Sequence, residues 1–246
     1  MSCASNTTCL PVGQKTQAYP LVRISGDRCL LATYGYTVDA AVNEKVRRIA
    51  LLLYQEHNQG IEEVVPSYST LAIFYDPDQV SVQELTLLLD QCEQKLTKIQ
   101  SDEARIITIP VCYGGSFGPD MEDVARHSRL DTSEVIHRHS SSIYRIYAIG
   151  FAPGFCYLGG LDKGLHIPRL KTPRTFVAAG SVGIAGSQTG IYPQNSPGGW
   201  RIIGRTPLTL FDTSRAEPCL YRAGDSIRFL PVDRATFQAM LHGQGE

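Results

Sequence analysis

No stretch of the 246-residue chain approaches the roughly 20 consecutive apolar residues that a membrane helix needs. The N-terminus MSCASNTTCLPVGQKTQ lacks a basic region followed by an apolar one. A soluble, unexported, cytoplasmic protein is therefore expected, with residues 1–17 as a mobile polar tail. Net charge is also missing: 23 Lys and Arg against 24 Asp and Glu leave a formal −1. So balanced a chain has no global field to draw nucleic acid or an anionic membrane surface. The seven cysteines show no C-x-x-C spacing, which excludes the usual zinc and redox motifs, and a chain this long needs no disulfide stapling. His137-x-His139 has no further ligand at metal-site spacing, so no metal is expected. GSVGIAG and GSQTG lack a Gly-Lys-Ser/Thr ending, and GSVGIAG is not G-x-G-x-x-G; neither reads as a nucleotide loop.

What is present divides the chain in two. From Tyr19, YPLVRI and CLLATY (29–34) flank the turn at 25–27 and read as paired strands. Asp39 can cap a helix whose apolar face is Val42, Val46, Ile49, Ala50 and Leu53. EEVVPSY and TLAIFY (70–75) read as two more strands. Ser81-Val82-Gln83-Glu84 has capping-box spacing and opens a second helix with Leu85, Leu88, Leu89, Cys92, Leu96 and Ile99 on one side. RIITIP (105–110) returns as a strand. This order predicts an α/β sandwich of the split βαβ kind, two helices covering one face of an antiparallel or mixed sheet. Beyond Pro110 two short helices are expected, around Met121–His127 and Ser133–Arg138. Short apolar runs broken by Gly and Pro follow, the habit of a β-barrel or sandwich. The fold class is α+β, with an α/β domain over 18–102 and a barrel domain over 103–246.

Acidic residues are absent from Lys163 to Phe211, while Lys163, Arg169, Lys171, Arg174, Arg201 and Arg205 give that window a formal charge of +6. Two readings stand. Guanidinium groups converging on one face would hold a carboxylate or phosphate; alternatively these side chains are solvated and paired with acids from the N-terminal half. Arg174 and Arg205 lie against proline-fixed backbone, in TPR and RTP, where position is better defined. Tyr157, Tyr192 and Trp200, the only tryptophan, suit either a pocket lining or the edge of a core. Gly198-Gly199 before Trp200 would let a ligand or partner approach its face. Cys156 reads as a small core residue, Ser181 as a loop hydroxyl, and His139 as the one titrating group of the second half, structural or catalytic.

The motifs VCYGGSFGPDMEDVA (111–125), His139-Ser140, IGFAPGFCYLGGLD (149–162), PRLKTPRTFVAAGSVGIAGSQTGIYPQNSPGGWRIIGRTPLTLFD (168–212) and AGDSIRF (223–229) closely resemble the carboxyltransferase-domain family. That family includes the B subunit of 5-oxoprolinase, the sporulation-kinase inhibitor and allophanate hydrolase subunit 1. The resemblance runs from Gly26-Asp27 to about Pro231 and implies a cyclophilin-like barrel behind the α/β domain. It further implies a subunit that acts with 5-oxoprolinase subunits A and C to open 5-oxo-L-proline to L-glutamate at the expense of ATP, the nucleotide being bound with or by the partners. The family's other implied role is a module that inhibits autophosphorylation of a sensor histidine kinase, docking through the barrel surface around Trp200. Carried over by motif, the family's polar positions fall on His139, Tyr157, Arg174, Ser181, Gln188, Thr189, Tyr192 and Arg205, with Pro153, Gly154 and Gly199 as backbone features. Ala178-Ala179 departs from the Pro-Ala of many relatives. In the enzymatic reading, Arg174 and Arg205 hold a carboxylate or phosphorylated intermediate, Gln188, Thr189 and Tyr192 bond its oxygens, and His139 moves a proton.

Overall fold

The computed structural model describes residues 19–55, 59–96 and 104–243. The tail expected at 1–17, the position of Ile99 and the boundary at 102/103 lie outside them.

Gly26, at φ +75°, makes the turn that joins β1 (Leu21–Ile24) to β2 (Cys29–Thr33), a backbone region that favours glycine. Helix α1 (Ala40–Gln55) begins where the Asp39 carboxylate accepts the Ala41 and Val42 amides, each at 2.9 Å. Strands β3 (Ile61–Pro66) and β4 (Thr70–Tyr75) follow. The capping box of α2 (Val82–Lys95) forms in full: Ser81 Oγ accepts the Glu84 amide at 3.2 Å, and Glu84 accepts the Ser81 amide at 2.8 Å. The sheet runs β1-β2-β4-β3, every pair antiparallel. Both β2 and β3 oppose β4, which lies between them, so β2-α1-β3 is the split βαβ unit that the pattern predicts. Leu30, Leu71 and Ile73 from the sheet pack on Val46, Ile49 and Leu53 of α1 and Leu85 and Leu89 of α2.

Strand β5 (Ile106–Tyr113) leaves this sheet and enters a closed barrel. Helices α3 (Met121–Ser128) and α4 (Thr132–Ser141) then lead into β6 (Ile143–Ile149) and β7 (Cys156–Gly159). A 3-10 turn at Lys163–Leu165 precedes β8 (Arg174–Val177), β9 (Ser181–Ala185), β10 (Gln188–Ile191), β11 (Ser196–Gly198), β12 (Arg201–Arg205), β13 (Ser226–Pro231) and α5 (Arg234–His242). The barrel order is β10-β7-β6-β13-β5-β12-β9, parallel at β13–β5. Strands β8 and β11 form a separate two-stranded ribbon. Closure removes the open edges that an antiparallel sheet of this length would expose.

The two layers meet along α1. Asn43, fully buried, sends its side-chain amide to the carbonyls of Ser67 (3.0 Å), Tyr68 (3.2 Å) and Tyr147 (3.0 Å). Glu44 pairs with Arg145 of β6. Tyr68 stacks on Tyr147 and meets Tyr157 edge-on, with ring centroids 5.8 and 5.9 Å away. No helix among the described residues is long and apolar enough to cross a membrane.

Candidate functional site

Strand β10 shows how the barrel wall sorts side chains. Thr189 faces inward with no exposure, beside Leu158 and Ile184; Gly190 faces outward, in register with Tyr157 and Gly183. A Cβ on Gly190 would stand 2.9 Å from the Cys156 carbonyl oxygen and 3.0 Å from the Trp200 ring. Glycine is needed here because Trp200 packs closely against this part of the wall. The outside of the barrel therefore carries an aromatic layer in which the Phe155 ring meets Tyr157 (4.9 Å), Tyr192 (5.3 Å) and Trp200 (5.5 Å) edge-on.

This layer floors a cleft of about 380 Å³, within the range of small-molecule sites. Phe151, Phe155, Tyr157, Tyr192 and Trp200 line it. The β8–β11 ribbon supplies one wall through Pro173, Pro197, Gly198 and Gly199. Phe151 stands at the mouth with 69 % of its surface exposed and φ +72°, a strained conformation for a bulky residue. Arg169 is the cleft's one cation: its guanidinium carbon lies 5.9 Å from the Trp200 ring centroid, and it has no carboxylate partner among the described residues. The Tyr192 hydroxyl is bonded by the Trp200 backbone amide, and burial raises its pKa, so it stays protonated.

The sequence candidates divide among several places. Tyr157, Tyr192, Gly199 and Trp200 come together in the cleft. Pro153 and Gly154 sit in the turn behind Phe151; Gly154, at φ +80°, is packed by Phe211 and its carbonyl accepts the Tyr221 hydroxyl at 2.8 Å. Gln188 donates to the Tyr68 hydroxyl at the junction of the two layers. Ser181 is buried, 4 % exposed, and its carbonyl takes the Tyr192 amide. Arg205 is half-buried with Nε on the Ala179 carbonyl at 2.7 Å, away from the cleft.

Three expectations need correction. Arg174 does not present a free guanidinium: it makes a two-pronged pair with Asp120, at 2.7 and 2.8 Å, and Asp120 also accepts the Ile202 amide at 2.7 Å. Arg201 likewise pairs with Asp123 at 3.1 Å. The acid-free window thus receives its acids from Asp120 and Asp123 at the start of α3, and the paired alternative holds for these two arginines. His139 is fully buried, stacked on Phe229, with burial pushing its pKa down to about 3. Its Nδ1 and Nε2 lie 2.8 Å from the Tyr113 hydroxyl and Thr189 Oγ1, respectively. Because the Thr189 hydroxyl donates to the Gly183 carbonyl at 3.0 Å, His139 Nε2–H donates to Thr189 and Nδ1 accepts from Tyr113. This neutral imidazole belongs to the barrel core, and neither it nor Thr189 lines the cleft. Cys156 is the core residue expected, its thiol pushed up to about 11 by burial.

Sequence reasoning named Arg169 only as one of six cations and passed over Phe151 and Phe155. A signal for each was present. Arg169 follows a proline, as Arg174 does, and FAPGF places two aromatics around a Pro-Gly turn. Among the described residues no group of three His, Cys, Asp or Glu is placed to hold a metal ion.

Comparison with known proteins agrees with this architecture. Residues 20–221 match the family model "Carboxyltransferase domain, subdomain C and D". The chain is 40% identical over 225 residues to the B subunit of 5-oxoprolinase from Bacillus subtilis, covering 87% of this chain and 93% of the relative. It is 44% identical over 191 residues to the corresponding 5-oxoprolinase chain of Haemophilus influenzae, covering 78% and 89%. The solved structure of TTHA0988 superposes with a TM-score of 0.74 at 35% identity over 87% of this chain, which spans 40% of that longer chain. With its barrel, its Gly/Pro motifs and its split βαβ layer, the chain belongs to the carboxyltransferase-domain family, subdomain C and D.

Proposed function

We propose that the chain is the B subunit of a multi-subunit, ATP-dependent 5-oxoprolinase, which opens 5-oxo-L-proline to L-glutamate together with subunits A and C. The observation that carries this reading is the 40–44% identity, over most of both chains, to proteins named as the B subunit of 5-oxoprolinase. A cytoplasmic setting goes with it. So does the division into an α/β unit over 18–102 and a barrel unit over 103–246, supported by two separate hydrophobic clusters. The relatives are named as enzyme subunits, and the histidine-kinase alternative is not carried further.

The cleft suits part of this task. Lactam hydrolysis needs a site that holds the substrate and a means of activating a poor electrophile. The cleft offers apolar walls and one cation. It has neither a carboxylate nor a histidine in its lining to act as a general base. A nucleoside triphosphate would bring about four negative charges, and the residues of the cleft do not fit it. ATP chemistry is therefore assigned to the assembled complex, and this chain contributes a ligand site to it.

The test mixes purified subunits with 5-oxoproline and ATP and follows glutamate. Omitting this chain is expected to abolish product; glutamate formation that continues without it overturns the reading.

A further inference from the structure

We infer that the aromatic cleft binds the lactam substrate itself, with Arg169 taking its carboxylate. The inference rests on the 5-oxoprolinase reading and assigns the substrate to a definite place on this chain. Charge accounting inside the second half makes the choice. Arg174 and Arg201 are neutralised by Asp120 and Asp123, and Arg205 is bonded to the Ala179 carbonyl outside the cleft. Of the window's four arginines, that leaves Arg169 as the one with no carboxylate or carbonyl partner among the described residues, and it is the one cation of the cleft lining, over an aromatic floor that complements a small ring with a single negative charge. The ring edge and methylenes of a lactam lie against Trp200 and Tyr157, and Phe151, exposed at the mouth, borders the open side.

The same accounting separates substrate from product. Ring opening creates an ammonium and a second carboxylate. The cleft has no acid for the first and no second free cation for the latter, so glutamate is held more weakly than the lactam.

Trp200 is the only tryptophan in the chain, so its emission reads this cleft alone. Titration of the full chain with 5-oxo-L-proline is expected to change that emission saturably. L-glutamate and 2-pyrrolidinone, which lacks the carboxylate, should bind at least about tenfold more weakly. Arg169→Gln should weaken 5-oxoproline binding by about ten- to a hundredfold and leave 2-pyrrolidinone unchanged. Arg169 is exposed, so the variant should keep the wild-type melting temperature. In the reconstituted enzyme the same variant should raise KM for 5-oxoproline and spare KM for ATP. An effect of Arg169→Gln in either readout, sparing 2-pyrrolidinone or ATP as stated, supports the inference. Unchanged affinity and unchanged KM for 5-oxoproline overturn it. That failure leaves the subunit reading intact, because the reading is decided separately by the omission experiment.

Discussion

The inside and the outside of the barrel wall use the same few residues in opposite ways. On the inside, polar groups satisfy one another: Tyr113, His139, Thr189 and the Gly183 carbonyl form one closed hydrogen-bond line. On the outside, glycines clear space for an aromatic layer, and the one cation at its edge has no carboxylate partner among the described residues. A buried polar group must be paired or it costs a few kcal/mol, so the interior line is complete and inert. The outer layer is half-open, and its unmatched charge is what a ligand can answer. Polar residue type alone is a poor guide to a binding site; what matters is whether the group has already been used.

The strongest way to break this contrast is to create an unmatched charge where the fold has paired one. Asp120→Ala leaves Arg174, whose side chain is 33 % exposed, and the Ile202 amide without their acceptor. A loss of about 3 kcal/mol is expected in urea unfolding, the partial exposure of Arg174 keeping it at the lower end for broken buried pairs. A loss below about 1 kcal/mol would mean that the pair is solvated, and that Arg174 remains available to a ligand.

Acid should act next, through the interior line. The folded pKa of His139, about 3, lies below the ordinary value of 6.5. Above pH 6.5 the imidazole is neutral in both states and contributes no pH dependence. Below it the unfolded chain takes the proton while the folded chain refuses it, so stability falls as pH drops from 6.5 toward 3. The loss from this group amounts to roughly 1.4 kcal/mol per pH unit. Between pH 6.5 and 4.5, His139→Gln should lose about 2 kcal/mol less than the unsubstituted protein in parallel denaturant titrations. Parallel curves would place a charged imidazole in the core and undo the assignment.

Neighbours on β10 sharpen the contrast with smaller effects. Thr189→Val removes the acceptor of His139 Nε2–H and should cost about 1–3 kcal/mol, with the Trp200 emission unmoved. Gly190→Ala should cost about 1–2 kcal/mol by crowding the Cys156 carbonyl and the Trp200 ring, and it should shift that emission and raise KM for 5-oxoproline. If the two variants change the same observable, the wall does not separate the two environments.

Much of the fold was legible in the sequence. The apolar spacing of α1 and α2 and the capping box at Ser81 each depend on residues within one or two helical turns. Asp120 shows the limit of such reading. It stands at the N-cap position of α3 yet makes no side-chain cap there, because its carboxylate goes to Arg174 and Ile202. Tyr157, Tyr192 and Trp200 were legible as pocket candidates and His139 as either structural or catalytic, whereas the buried role of Thr189 was not legible. An inward or outward facing follows from barrel closure and register, and no local pattern encodes it.

Element boundaries, caps and family membership belong to the chain as written, since each rests on neighbours in sequence or on contiguous motifs. Tertiary structure alone decided which positive charges were spent. Arg174 and Asp120 are 54 residues apart, and Arg201 and Asp123 are 78 apart. A window that is acid-free along the chain is therefore not acid-free in space. Coulomb attraction acts through distance between atoms, and folding brought Asp120 and Asp123 to two of the arginines while leaving Arg169 at the cleft with no carboxylate among the described residues.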